Sequence, residues 1–534
     1  MRITKSLWTF LILISVVRVS GQIPSMIVNN GRHALLVDGK PFFILGAQAH
    51  NSSAWPSMMP KLWTAVEKMH LNALEVPVYW EQIEALSNHF DFSLVDTLLR
   101  QAREHKIRLV LLWFATWKNG SNHYMPEWMK EDAEKYPNIT SLKGHPVDSP
   151  SPNIKATRDA DLHAFTEFMK HLKTADGQQH TVIMIQIENE SGAWGSVRDY
   201  SPVAQKLFEG AVPEELMKSE VLSALNRPLV KQGSWSQVFG ERADEYFQAW
   251  SVARFIGQVA LAGKAVYPLP LYVNAALRDP LTNPMANSYE SGGPTDNVIP
   301  IWKSAAPDID LLAPDIYLSG YERIMKVIEL YDRPDNALFV PELAMKPVYS
   351  KWLYAVIAHG GIGFSPFGLD YNGRGKSEIE MAERLVPFAR EYEMLNPMMR
   401  ELAGWAYEGK IKAVVERDDH GEQTIDFHAW QAKIFFGGDG RGNASPVFTD
   451  PTGKAMFMQM GENVFMVMGT GCHITFQPAG DKAGKAWQYL KVEEGIYENG
   501  SFKLLRILNG DETDWGGPGF GSSPTLLRIS LNTR

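Results

Sequence analysis

Short apolar segments alternate with amphipathic stretches through to residue 395, and this alternation restricts the possible folds more than any other feature of the chain. Strands are predicted at 43–48, 73–79, 108–115, 181–188, 269–274, 311–317, 338–342 and 362–366. Apolar residues at three- and four-residue spacing predict helices at 61–69, 94–104, 160–173, 243–262, 321–329 and 377–395. Eight strands alternating with helices predict an α/β fold, a closed (β/α)8 TIM barrel. An open doubly wound sheet is the alternative fold. It is disfavoured because no glycine-rich phosphate-binding turn follows an early strand.

The length of the chain requires more than one hydrophobic core, because 534 residues exceed what a single core normally serves. After residue 395 the pattern changes to short alternating runs separated by turn residues, which is typical of antiparallel β structure. We therefore predict a catalytic barrel at 22–395 and a C-terminal antiparallel β domain at 396–534. The segment 191–240 is long for a connection within a barrel. It is predicted to be an insertion, either a lid over the barrel mouth or a surface excursion.

The first 21 residues have the pattern of a secretory signal peptide. Arg2 and Lys5 precede an apolar centre at 7–17, and small residues follow up to Gly21. An N-terminal membrane anchor is the competing interpretation, but the apolar centre is shorter than the roughly 20 residues that a spanning helix needs. We expect cleavage after Gly21 and a secreted or periplasmic protein that does not contact the membrane after cleavage.

Composition narrows the class of partner. The formal net charge of -9 disfavours a nucleic acid or an anionic membrane. The chain has 16 Trp and 18 Tyr, and their flat amphipathic rings suit a ligand with an apolar face and a hydroxylated rim, such as a sugar. His123 and Glu127 are spaced i, i+4 but lack the second His of a zinc motif, so neither a metal nor a cofactor is expected. The sequence carries no signal for the oligomeric state.

Acidic residues end two of the predicted strands. The fourth strand runs into Glu188-Asn189-Glu190, and the seventh ends at Glu342. Carboxylates are rarely buried unless they are paired or functional, and β/α barrels build their active sites at the C-terminal ends of the strands. Two carboxylates in such a place are sufficient for glycoside hydrolysis. We predict that Glu190 is the acid/base and Glu342 the nucleophile of a retaining mechanism, which needs carboxyl groups roughly 5 to 5.5 Å apart.

Residues around these two acids receive supporting roles. Strand alternation places Glu188 on the same side as Glu190 but one layer deeper, hydrogen-bonded to its neighbours and near the substrate. Asn189 is predicted to donate to the 2-hydroxyl of the sugar, a contact that strengthens in the transition state. Alternation alone does not decide which glutamate is the acid.

Further binding residues are predicted from their positions at or beyond strand ends. Tyr317 is expected to hold Glu342 ionised through a hydrogen bond, with core packing as the alternative. Asn274 and Glu81 are candidates for contacts with substrate hydroxyls, or else belong to solvated loops. Trp194 is the favoured platform for stacking on a sugar ring.

Several motifs resemble glycoside hydrolase family 35, the β-galactosidases. They are Ile-Glu-Asn-Glu-Ser-Gly at 187–192, Val-Pro-Glu at 340–342, and the segments 76–84 and 90–93. The resemblance runs from about Gly31 to Asp370, and the tail is similar to an uncharacterised β domain that a bacterial branch of the family carries. It implies retention, with the second glutamate of Glu-Asn-Glu, Glu190, as acid/base. It also implies an exo-acting enzyme whose substrate is a terminal β-D-galactoside of an oligosaccharide or polysaccharide.

Two positions differ from the pattern of many family members. Residues 46–51 are Gly-Ala-Gln-Ala-His-Asn in place of Ser-Gly-x-x-His-Tyr, and Ser191 stands where a tyrosine often follows Glu-Asn-Glu. Two other functions therefore stay open. One is a retaining β-glycosidase of the same barrel clan that acts on glucosides or mannosides. The other is a non-catalytic carbohydrate-binding protein.

Overall fold

The structure, a computed structural model, describes residues 21–374, 377–437, 450–514 and 516–534. The predicted signal peptide lies outside the described residues except for Gly21. In chain order the strands up to residue 367 are β1 (Ser25–Asn29), β2 (Arg32–Val37), β3 (Lys40–Phe42), β4 (Ile44–Gln48), β5 (Ala73–Tyr79), β6 (Arg108–Lys118), β7 (Asn138–Thr140), β8 (Pro146–Pro150), β9 (Val182–Asn189), β10 (Leu271–Ala276), β11 (Leu311–Ile316), β12 (Phe339–Ala344) and β13 (Gly363–Phe367).

Eight of these strands close into a parallel barrel in the order β10-β11-β12-β13-β4-β5-β6-β9. They are the eight predicted segments, with ends shifted by up to three residues. Their side chains are buried almost throughout, as expected for parallel strands that are covered on both faces. The predicted fold class is confirmed. Strands β1 to β3 form a separate antiparallel sheet, and β7 pairs with β8.

Helices surround the barrel where the apolar spacing predicts them. They are α1 (Met59–Lys68), α2 (Trp80–Ile83), α3 (Ser93–Glu104), α4 (Glu127–Lys130), α5 (Lys155–Asp176), α6 (Pro202–Glu209), α7 (Ser219–Ala224), α8 (Trp235–Phe239), α9 (Ala243–Val266), α10 (Ile299–Ala305), α11 (Tyr321–Tyr331), α12 (Trp352–Ala358), α13 (Glu378–Leu395), α14 (Met399–Tyr407) and α15 (Asp511–Asp514). A capping box starts α13: Ser377 Oγ accepts from Glu380 N, and the Glu380 carboxylate accepts from Ser377 N. Within the described part of the chain, no helix is both long and apolar enough to cross a membrane.

The predicted insertion at 191–240 contains α6, α7 and α8 and packs on the outer helices of the barrel. Trp235 is buried and meets the rings of Phe247 and Trp250 on α9. Ser304, on α10, donates to the Glu215 carbonyl oxygen. The helices of the insertion therefore lie against the outer helices of the barrel, which favours the surface excursion over the lid. Its first residues, 191–195, adjoin the barrel mouth.

The C-terminal part is an antiparallel β structure of two sheets. Its strands are β14 (Ile411–Val415), β15 (Gln423–Asp426), β16 (Trp430–Phe436), β17 (Lys454–Gly461), β18 (Val464–Thr470), β19 (Cys472–Pro478), β20 (Trp487–Glu498), β21 (Ser501–Leu508), β22 (Gly519–Phe520) and β23 (Thr525–Thr533). One sheet has the order β14-β17-β18-β23-β20-β21, and the other has the order β15-β16-β19-β22.

The six-stranded sheet is the middle layer between the barrel helices and the four-stranded sheet. Along β17, Met456 and Met458 belong to the core shared with the barrel, whereas Phe457 belongs to the core between the two sheets. This alternation is the period of two that a strand imposes. Lys454 and Glu391 of α13 form a buried ion pair at 2.8 Å across the same interface. Apolar packing and a paired charge thus join the β domain to the barrel.

Candidate active site

A β-bulge shapes the C-terminal end of β9. Strands β6 and β9 pair regularly up to Trp113 and Ile187, but the next pair is Lys118 and Asn189. Four residues of β6 therefore stand opposite a single residue of β9. Bulges re-aim side chains and are common beside active sites. Here the bulge brings Lys118 to the end of the strand that carries the predicted catalytic acid.

Glu188, at the bulge, lies elsewhere than predicted. Its φ of +60° interrupts the alternation, and its side chain contacts β6 and α5. Trp117 N donates to Glu188 Oε2 at 2.7 Å, and the carboxyl group shares a hydrogen bond with Asp161 of α5. Burial and the charge of Asp161 raise the pKa of Glu188 well above its usual value. Glu188 is thus hydrogen-bonded to its neighbours, as predicted, but in a buried carboxyl pair on the α5 side of β9. This position disfavours the predicted contact of Glu188 with substrate.

Glu190 and Glu342 meet in the barrel mouth, and Asp315 of β11 joins them. One carboxyl oxygen from each of the three residues lies within 4.8 Å of the other two. Inverting glycosidases hold their two carboxyl groups roughly 6.5 to 9.5 Å apart, and retaining ones roughly 5 to 5.5 Å apart. The separation here suits retention. Asp315 was not predicted, although it lies at the end of a predicted strand as the other acids do.

Two hydrogen bonds hold the Glu342 carboxyl group in place. Tyr317 donates its hydroxyl to Oε1 at 2.5 Å, and Gln48 Nε2 donates to Oε2 at 3.0 Å. The Tyr317 contact is the one that the strand-end position predicts, whereas Gln48, at the end of β4, was not predicted. Because each oxygen has its own donor, the carboxyl group cannot rotate freely in the mouth.

Asn274 positions Glu190. Its Oδ1 accepts from Glu190 N at 2.9 Å, and its Nδ2 donates to Asp315 Oδ2 at 2.6 Å. Glu190 and Asp315 also share a side-chain hydrogen bond. The amide of Asn274 is thus engaged by the protein, so the residue holds the acid in place, which differs from the predicted contact with a substrate hydroxyl.

The electrostatics of the cluster favour a proton on Glu190. Burial and then the negative charge of Glu342 raise the pKa of Glu190 to about 7, while Lys118 acts in the opposite direction. Burial and the charges of Glu342 and Glu190 also raise the pKa of Asp315 well above its usual value. Lys118 is buried, with its Nζ 5.2 Å from the centre of the Phe114 ring. A neutral acid beside a fixed carboxyl group is what general acid catalysis at neutral pH requires.

Asn189, at the end of β9, is buried and has an unsatisfied amide. Neither Oδ1 nor Nδ2 has a hydrogen-bond partner among the described residues. Leaving a buried polar group without a partner costs about 1 to 3 kcal/mol, so such groups commonly mark a ligand position. The contact predicted between Asn189 and a sugar hydroxyl would satisfy this amide.

Glu81 pairs with Lys130 at 3.4 Å and lines a cleft of about 410 Å³ together with Trp55, Lys118 and Tyr124. Trp194 lies at the rim of the mouth with 52% of its surface exposed. Beside it is a fourth acid, Glu290, in the connection after β10 and only 3% exposed. No strand or motif marks Glu290 in the sequence, so it was not predicted.

The three clustered carboxyl groups are also close enough to hold one cation. A hard cation would need the carboxylate lone pairs that face the centre. Tyr317 and Gln48 already donate to both oxygens of Glu342, and Asn274 donates to Asp315. This donor set fits a cluster that shares protons better than it fits a metal site.

Two family models match parts of the chain. A glycoside hydrolase family 42 model, described as beta-galactosidase, matches residues 51–244. The resemblance at the motifs suggested family 35, which therefore stays a prediction, since the matching model is of a different family. A second model, described as a domain of unknown function, matches residues 388–517.

Solved structures with a similar barrel are distant. The β-galactosidase from Bacillus circulans sp. alkalophilus is 16% identical, with a TM-score of 0.47 over 66% of this chain and 56% of that one. The β-galactosidase from Rahnella sp. R3 is 15% identical, with a TM-score of 0.48 over 68% and 58%. The catalytic domain of β-amylase from Paenibacillus polymyxa is 13% identical, with a TM-score of 0.48 over 64% and 97%. The chain spans just over half the length of these two β-galactosidases. The family match at 51–244 supports a glycoside hydrolase.

Proposed function

We propose that the protein is a retaining exo-β-galactosidase that hydrolyses terminal β-D-galactosides of oligosaccharides or polysaccharides. The observation that carries this proposal is that a carboxyl oxygen of Glu190 lies within 4.8 Å of a carboxyl oxygen of Glu342, while the pKa of Glu190 is about 7. The choice of galactose rests on the family match and on the resemblance at the motifs. We also propose export, based on the basic, apolar and small residues that begin the chain.

In the first step Glu342 attacks the anomeric carbon and forms a glycosyl ester. Glu190 gives its proton to the glycosidic oxygen as the bond to the leaving group breaks, so the leaving group departs as an alcohol. Tyr317 and Gln48 keep the two oxygens of Glu342 oriented for this attack. Asn189, with its unpartnered amide, binds the sugar hydroxyl next to the anomeric carbon.

In the second step Glu190 acts as a base. It takes a proton from water, the water oxygen attacks the anomeric carbon, and the ester bond to Glu342 breaks. Glu190 regains its proton and Glu342 its free carboxylate, so the enzyme returns to its starting state. Two inversions at the same carbon give net retention.

Asp315 adds a third carboxyl group to this scheme. It lies within 4.8 Å of both catalytic acids and shares a hydrogen bond with Glu190. Burial and the negative charges of its neighbours raise the pKa of Asp315, which favours its protonated form and so avoids adjacent negative charges. We assign it a positioning role for Glu190, together with Asn274.

Initial rates on a panel of nitrophenyl β-glycosides test the choice of sugar. The proposal predicts that the galactoside is the best substrate by at least tenfold in kcat/KM. Faster turnover of the glucoside or mannoside would assign a different β-glycosidase. Binding of galactose without turnover of any glycoside would assign a non-catalytic carbohydrate-binding protein.

The Glu190→Ala variant tests the chemistry independently of the sugar. It should lose most activity on substrates with poor leaving groups and recover turnover with azide, which replaces the deprotonated water in the second step. Full activity without azide would exclude Glu190 as acid/base.

A further inference from the structure

The wall beside Glu190 is built from three connections that are bonded to one another. Gly120 N, in the loop after β6, donates to the Glu190 carbonyl oxygen at 2.9 Å. Ala193, in the connection after β9, and Ser291, in the connection after β10, exchange two backbone hydrogen bonds of 2.8 and 3.0 Å. This wall is therefore fixed relative to the proposed acid/base and is part of the barrel mouth.

Two side chains from this wall, Trp194 and Glu290, are packed against Gly120. A Cβ added to Gly120 would lie 2.1 Å from Glu290 Oε1 and 3.3 Å from Trp194 Cδ1. Gly120 has a φ of +68°, so both space and backbone conformation favour glycine there. The Trp194 side chain also lies close enough to the Glu290 carboxyl group to act on its pKa, in the direction opposite to burial. The contact of both side chains with Gly120 holds the indole beside Glu290.

Glu290 has no evident structural purpose in this position. It is 3% exposed, and its Oε1 has no hydrogen-bond partner among the described residues. Burial and the charge of Glu190 raise its pKa well above the usual value. A buried carboxyl group with an unsatisfied oxygen destabilises the fold, so a contribution to function is the better explanation for it.

The indole of Trp194 is half exposed and belongs to the wall beside Glu190. A general acid protonates the departing oxygen, so the leaving group occupies the space next to Glu190, and the nucleophile faces the opposite side of the anomeric carbon. An exposed aromatic face suits the apolar face of a second sugar ring, because such rings present their C–H groups on one side and hydroxyls at the rim.

We propose that Trp194 is the binding platform for a sugar in the leaving-group position and that Glu290 positions its indole. The inference rests on the proposed function and deepens it, since it specifies a β-galactosyl unit attached to another sugar as the preferred substrate class. Trp194 is then a specificity-determining residue. Glu290 is a positioning residue that acts through Trp194.

Three β-galactosides distinguish binding of the leaving sugar by Trp194 from an effect on the general acid Glu190. Lactose needs both proton donation and a site for a leaving sugar, methyl β-galactoside needs proton donation only, and β-galactosyl fluoride needs neither. Trp194→Ala should lower kcat/KM for lactose by about tenfold, the scale of an aromatic contact, and change the other two substrates by less than about twofold. Glu290→Ala should have the same pattern, and Glu290→Gln, which retains a hydrogen-bonding side chain, should be close to wild type.

Trp405 provides the matched control. It is a partly buried tryptophan of α14, and its ring meets that of Tyr497 of β20 edge-on. Trp405→Ala should change kcat/KM for lactose and for methyl β-galactoside by the same factor. An equal loss on both substrates in Trp194→Ala or Glu290→Ala would overturn the inference and assign those residues to the function of Glu190.

Transfer to an acceptor gives a second measurement that does not depend on the fraction of active enzyme. With β-galactosyl fluoride as donor and glucose as acceptor, the ratio of disaccharide to free galactose should fall about tenfold in Trp194→Ala. An unchanged ratio would contradict the inference. Failure of the wild-type enzyme to release galactose from the fluoride would instead contradict the proposed function itself, so the two failures are distinct.

Discussion

The Tyr317 hydroxyl lies 2.5 Å from Oε1 of Glu342, and it donates a hydrogen bond from a residue at the end of one barrel strand to an acid on the next. Tyr317→Phe removes this donor and leaves the ring. A hydrogen bond to a charged group contributes about 1.5 to 3 kcal/mol, so kcat/KM for nitrophenyl β-galactoside should fall about 10- to 100-fold. Steady-state kinetics on the purified variant measure this loss.

Tyr331→Phe is the control for that experiment. Tyr331 is buried, and its hydroxyl donates to the Pro294 carbonyl oxygen at 2.8 Å instead of to a carboxyl group. It should lower the melting temperature and leave kcat/KM within about twofold. A Tyr317→Phe enzyme that is as active as Tyr331→Phe would exclude the proposed role of the Tyr317 hydroxyl.

The pH dependence of kcat/KM follows from the proton on Glu190. Its pKa of about 7 means that the acid is lost progressively above neutral pH, so the rate on a substrate with a poor leaving group should fall above about pH 7. β-Galactosyl fluoride, which needs no proton donor, should keep its kcat/KM through this range. A descending limb at the same pH for both substrates would show that a group other than the general acid titrates.

The raised pKa of Glu190 should also make the stability of the protein depend on pH. Glu190 has its pKa raised from 4.5 to about 7 in the folded state, so below pH 4.5 it is protonated in both states and contributes nothing. As the pH rises between these values, Glu190 ionises in the unfolded chain but stays protonated in the folded protein. This difference lowers the free energy of unfolding by up to roughly 3 kcal/mol, and the whole loss is reached by about pH 8. Glu190→Gln should therefore stabilise the protein at pH 8 and have little effect at pH 4. Thermal unfolding at the two pH values measures the difference, and equal effects would contradict the raised pKa.

Glu188 and Glu190 should differ sharply in their catalytic importance. Because Glu188 is paired with Asp161 on the α5 side of β9, Glu188→Gln keeps an acceptor for Trp117 N and leaves the carboxyl cluster intact. Its kcat/KM should stay within a few fold of wild type, whereas Glu190→Gln should lose at least 100-fold on a poor leaving group. Comparable losses in the two variants would mean that Glu188 takes part in the reaction.

The barrel was predictable because each strand is a nearly continuous apolar run, and such runs can be recognised without knowledge of tertiary contacts. The acids at strand ends were predictable for the same reason, since polar residues stand out where an apolar run stops. The tail was predicted as antiparallel β structure from turn residues between alternating runs.

The site residues that were missed or misplaced depend on features that sequence periodicity does not encode. Positive φ angles at Glu188 and Glu190 break the alternation used to place Glu188. The bulge in β6 brings Lys118 to the site, and no pattern marks its position. Glu290 lies near Glu190 because the connections after β9 and β10, which are far apart in the sequence, pair at Ala193 and Ser291.

The central claim is that Glu342 forms a covalent bond to the sugar. Incubation with a 2-deoxy-2-fluoro-β-galactosyl donor slows both steps and, with a good leaving group, allows the glycosyl-enzyme to accumulate. Proteolysis and peptide mass spectrometry then locate the label. We expect a single fluorogalactosyl group on the peptide that contains Glu342, and no such group in Glu342→Gln. A label on another residue, or none on an enzyme that turns over β-galactosides, would contradict it.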